Sequence, residues 1–85
     1  RLIGETPDPD LMKQVDLIID KTEFDVKPHH FHLHRYGDHI ELTFHLTMDA
    51  GLTLEAAHER AHLIEQELRD QLGIEATIHM EPEGH

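Results

Sequence analysis

The chain has no cysteine, which excludes disulfide frameworks, thiolate zinc sites, iron–sulfur clusters and cysteine nucleophiles together. Any metal it holds is held by nitrogen and oxygen. It has no serine either; its hydroxyl-bearing aliphatic residues are Thr6, Thr22, Thr43, Thr47, Thr53 and Thr77, so a serine nucleophile is ruled out. Basic charge is scarce: 7 Lys and Arg stand against 18 Asp and Glu, for a net charge of −11 with histidine neutral. Such a chain lacks the cations that neutralise nucleic-acid phosphates, and an anionic membrane surface would repel it. There is no Gly-rich phosphate loop, no signal-peptide pattern, and no apolar run near the ~20 residues of a membrane span. At 85 residues there is room for one hydrophobic core and no second. The excess is in histidine: there are ten, and protonating all of them would carry the net charge almost to neutrality. Composition alone points to metal or proton chemistry.

The sequence starts at Arg1 rather than Met, and we expect it to be cut from something longer, with residues 1–7, including Gly4-Glu5-Thr6-Pro7, as an entry linker. The folded domain is expected over residues 8–82 and a short tail over 83–85, whose His85 carries no weight. Asp8-Pro9-Asp10 has the form of a helix start: a capping carboxylate, a proline preset for the first helical position, and an acid at the positive end of the dipole. Leu11, Met12, Val15, Ile18 and Ile19 then make one apolar stripe, which fades at Lys21-Thr22 ahead of Pro28. From His29 the period becomes two, Phe31 and Leu33 alternating with histidines, then Ile40, Leu42, Phe44, Leu46 and Met48 alternating with polar residues. A two-residue turn at Gly37-Asp38 predicts a hairpin with Leu33 opposite Leu42, Phe31 opposite Phe44 and His30 opposite His45. Asp49-Ala50-Gly51 closes this unit. Thr53 caps a second predicted helix, with Leu54, Ala57, Ala61, Ile64, Leu68 and Leu72 as its stripe and Gly73 as its C-terminal stop. A last strand follows from Ile74 to Glu81, before Pro82. The order αββαβ implies an α+β fold, a two-layer sandwich of truncated ferredoxin-like type, its three-stranded sheet carrying two helices on one face. The other face would carry His30, His32, His34, His45, His79, Glu81, Glu41 and Thr43.

Imidazoles with carboxylates suit Zn2+, Ni2+, Co2+, Fe2+ or Mn2+ when three or four donors converge. Three pairings offer this: His79 with Glu81 on one strand face, His58 with His62 one turn apart on a helix, and His30 with His45 across the hairpin. Six histidines fall between His29 and His45, more than solvated surface positions account for. His58-Glu59-Arg60-Ala61-His62 also fits the HExxH pattern of zinc peptidases. The domain is too small for a substrate cleft, Ala57 and Ala61 face the core, and the motif lies on a helix flank, so no enzyme is expected.

Certain stretches resemble a known family, the C-terminal cytoplasmic domain of cation diffusion facilitator transporters. They are Arg35-Tyr36-Gly37, Phe44-His45-Leu46-Thr47-Met48-Asp49, Leu52-Thr53-Leu54-Glu55-Ala56-Ala57-His58 and Ile78-His79-Met80-Glu81-Pro82, within a resemblance running from about Asp10 to Pro82. The resemblance implies metal ligands at His29, His45, His58, His79 and Glu81. Strand parity favours His30 over His29, and both stay open; His32, His34, His39 and His62 are candidates for auxiliary sites. It further implies a homodimer binding Zn2+, or Ni2+, Co2+, Fe2+, Mn2+ or Cd2+, on the cytoplasmic side of the membrane, below its own transmembrane domain, and coupling metal level to proton-driven efflux. The alternative is a free-standing metal-buffering or metallochaperone protein of the same fold.

Overall fold

A computed structural model describes residues 8–84 of the chain. The expected linker over 1–7 and His85 lie outside the described residues. Five elements follow in order: α1 (Pro9–Lys21), β1 (Val26–Tyr36), β2 (His39–Met48), α2 (Leu54–Leu72) and β3 (Ile74–Pro82).

Both helices begin and end where their capping chemistry dictates. The Asp8 carboxylate accepts from the Asp10 amide at 3.0 Å with Pro9 in the first turn, and the Thr53 hydroxyl accepts from the Ala56 amide at 3.0 Å. Gly73 ends α2 in the left-handed conformation, φ 66°, its amide returning to Arg69. At the end of α1 the Thr22 hydroxyl donates to the Ile19 carbonyl at 2.6 Å and accepts from the Phe24 amide at 3.2 Å, turning the chain toward β1.

The sheet order is β1-β2-β3, with β1 antiparallel to β2 and β3 parallel to it after the α2 crossover. Val15, Ile18 and Ile19 of α1, Leu33 of β1, Leu42, Phe44, Leu46 and Met48 of β2, Ala61, Ile64 and Leu68 of α2, and Ile74 of β3 form one buried core. Both helices thus cover one face of the sheet, as the alternation implied. Leu54 departs from the expected stripe: it lies at the first turn of α2 and is 79% exposed.

Two sequence expectations need correction at β1. The strand starts at Val26 rather than His29 and accommodates Pro28 because β1 is an edge strand, where a missing amide donor is tolerated. The hairpin pairing also changes along its length. Near the turn Leu33 faces Leu42 and His32 faces Thr43, as expected, but His29, not His30, faces His45. Between these pairs the register shifts, His30 and Phe31 together spanning the single residue Phe44. This is a β-bulge, and His30 takes its left-handed position at φ 58°, where glycine is usual and other residues incur about 1–2 kcal/mol. Phe31 therefore does not face Phe44 directly, yet their rings stack at 5.0 Å.

Candidate metal centre

The bulge decides the composition of the outer face. In a regular strand of the same residues, alternation would send His29 inward with Phe31 and Leu33; taking up His30 as the extra residue of the bulge leaves His29 outward with His30 beside it. The registers of the two ladders then align side chains in rows across the three strands. One row is His29, His45 and His79, each the direct neighbour of the next. Adjacent strands lie ~4.8 Å apart, so such a row sets imidazoles side by side. The row toward the strand ends holds Lys27, Thr47 and Glu81, and the row toward the hairpin turn holds His32, Thr43 and Thr77.

Side chains close the histidine row into a cluster. The His30 and His45 rings lie 5.0 Å apart, those of His29 and His45 5.4 Å, and that of His79 is nearly parallel to His45 at 5.3 Å. One ligand-capable nitrogen from each of His29, His30 and His45 lies within 4.8 Å of the others, near enough for a single ion to draw them to bonding distance. Glu81 reaches in from β3, accepting from His29 Nε2 at 3.0 Å and, in a very short contact, from His45 Nδ1. His29 Nε2 also lies 3.1 Å from the Thr47 hydroxyl, and its Nδ1 is 3.4 Å from that of His30.

A carboxylate only accepts, so this network places protons on His29 Nε2 and His45 Nδ1, and in a neutral imidazole the opposite nitrogen of each ring carries the lone pair. That is the state in which imidazole ligates a metal. The hydrogen bond from His45 outweighs the effect of burial on Glu81 and, together with that from His29, holds its carboxyl below the usual range. His29, His30 and His45, with an ionised Glu81 hydrogen-bonded to two of them, bring together nitrogen and oxygen groups of the kind that suit a divalent ion of the zinc type.

The remaining expected residues fall elsewhere. His32 is exposed beside the cluster, and His34, half-buried, stacks on Tyr36 at 6.4 Å toward the turn. His58 is exposed on the second turn of α2, outside the converging groups found among the described residues. His62 lies 3.9 Å from Glu65 on its own helix, and Glu59 between them is exposed, so the HExxH string sits on an open helix surface. A second converging group is His39, Glu41 and Glu75. His39 is among the expected auxiliary candidates; Glu75 is not, because nothing local in the sequence fixes the register of a parallel strand.

The sequence over residues 7–83 matches the family described as cation efflux protein, cytoplasmic domain. The zinc form of CzrB, a candidate zinc transporter, superposes with a TM-score of 0.82 at 26% identity, covering 99% of this chain and 97% of that one. The cytosolic domain of a cation diffusion facilitator family protein gives 0.78 at 27% identity, over 91% and 94%. The metal-bound C-terminal domain of the CzcD transporter from Thermotoga maritima shares the fold, with 0.84 at 24% identity over 91% and 92%. No curated protein sequence matches the chain. Among the described residues no helix is long and apolar enough to cross a membrane.

Proposed function

Since this chain belongs to the cation efflux protein family as its cytoplasmic domain, we propose that it senses a divalent metal of the zinc type, dimerises, and couples metal level to transport by a membrane region ahead of Arg1. Residues 1–7 are the link to that region in this reading, residues 8–82 the sensing domain and 83–85 a tail. The carrying observation is the convergence of His29, His30 and His45 on the outer face with Glu81 bridging two of them. His79, stacked on His45, completes the donor set from the third strand.

His58 lies outside the converging group and in this reading serves as a ligand across two protomers. An apolar groove lined by Met48, Leu52, Leu54, Ala57 and Met80 supports a second protomer at that end of the molecule, since it borders Glu81 and holds the exposed Leu54. Two copies, each with a net charge of −11, repel one another. A divalent ion replaces part of that repulsion with bonds, and tighter metal binding in the closed arrangement shifts the population toward it. The donors favour Zn2+ over Cu(I), with Ni2+, Co2+, Fe2+, Mn2+ and Cd2+ as competing occupants.

Small-angle scattering of the domain with and without zinc tests this, read together with calorimetric titration. Zinc is expected to compact a dimer, and His45→Ala to abolish both the heat and the compaction. Zinc binding without any change in dimer compactness would overturn the coupling.

A further inference from the structure

The hairpin end of the same outer face carries a second constellation, built differently. Glu41 and Glu75 are direct neighbours on parallel strands β2 and β3. Like charges in that position repel one another. His39 heads β2, and its Nε2 lies 3.2 Å from Glu41 Oε2 and 3.1 Å from Glu75 Oε1. The tight turn holding Gly37 at φ 61° places His39 opposite Tyr36, and their rings stack at 6.3 Å, which aims the imidazole edge at the two carboxylates. All three side chains are open to solvent, His39 at 45%, Glu41 at 44% and Glu75 at 65%, and a hollow lined by His39, Glu65, Arg69 and Glu75 adjoins them. Glu65 and Arg69 bring opposite charges to that hollow, and Glu75 is its remaining carboxylate.

We propose that His39, Glu41 and Glu75 form a second divalent-cation site, distinct from the histidine cluster in place and in chemistry. One imidazole and two carboxylates match a dication in charge, and the open side leaves positions for water. Glu41 and His45 are four residues apart on β2, so the two sites lie roughly 13 Å apart and bind independently. The first is rich in nitrogen and suits zinc; the second is rich in oxygen and suits Mn2+ or Fe2+. Its existence does not depend on the first site's role in transport.

Mn2+ is the probe, its paramagnetic broadening read in amide NMR spectra of this domain. Residues 37–41 and 73–76 are expected to broaden as Mn2+ is added, and to go on broadening when zinc has been supplied first. The Glu41→Gln, Glu75→Gln double variant, with the spectrum of the folded domain otherwise kept, is expected to lose that broadening and to retain zinc-induced shifts at His29, His45 and His79. Absence of broadening at 37–41 in the parent protein, or its survival in the double variant, overturns the proposal and reduces the group to a surface ion pair. Loss of the zinc shifts in His45→Ala with the Mn2+ response intact reports on the first site alone.

Discussion

The two faces of the one sheet are made by the same strands under opposite rules. Along β2, Leu42, Phe44, Leu46 and Met48 are buried against the helices, while Thr43, His45 and Thr47 between them are half-buried and polar. The inner face tolerates little change because each side chain fills space that others define. The outer face is free to vary in identity but not in position, since the inner face fixes the parity of every residue. The difference teaches that the metal cluster is positioned from behind: the packing of Phe31, Leu33, Leu42 and Phe44 sets where the imidazoles point.

The largest break in that comparison is expected on the inner side. Phe44→Ala removes a fully buried ring and is expected to cost about 3–5 kcal/mol, close to the whole stability of a domain this size. Chemical denaturation should find the variant partly unfolded in buffer, with zinc binding lost as a consequence. On the outer side the effects separate: His45→Ala should change stability by about 1 kcal/mol or less while zinc affinity falls beyond the roughly 10–100-fold that loss of an outer-sphere partner costs. Equal losses of fold and affinity in the two variants would dissolve the distinction between the faces.

A sharper test sits on the bulge. His30→Gly relieves the left-handed strain, partly offset by the entropy of glycine, for a gain of about 1 kcal/mol or less in metal-free stability, and removes one imidazole. Thermal melts without metal should rise slightly and zinc affinity should fall, two movements in opposite directions from one substitution.

The smallest effect lies outside the sheet. Partial desolvation on the helix surface, with the nearby Asp20 charge, pushes the Asp16 carboxyl above its ordinary value. Folded Asp16 therefore holds its proton more tightly than the unfolded chain does. Stability is lost as pH rises through the ordinary and then the raised value. Asp16→Asn should recover it at neutral pH, within about 0.5 kcal/mol, and make no difference in acid; denaturation at the two pH values checks this. Glu81 has the opposite sign: its lowered carboxyl contributes fully above the ordinary carboxylate range and less as pH falls through the lowered value.

Much of this was legible in the residues. Asp8, Thr53 and Gly73 marked helix limits through local hydrogen-bonding and backbone chemistry, and the alternation on β2 specified which face is buried. The bulge was not legible: Phe31 and Leu33 alternate with His30 and His32 as if the strand were regular, and a histidine gives no hint of a position that glycine usually fills. His29 came from the family resemblance and His30 from parity; the structure brings both beside His45. The pairing of Glu41 with Glu75 is not legible because a long helix, not a turn, connects their strands, and only tertiary packing sets that register.

The bulge at His30 also bears on how such a site is gained or lost. Deleting that one residue would let His29 keep His45 as its neighbour and Phe31 take the place opposite Phe44, giving an uninterrupted ladder with every inward residue still inward. A ligand that enters as an insertion leaves the rest of the fold in phase, so metal capacity can be altered by one codon without redesigning the core beneath it.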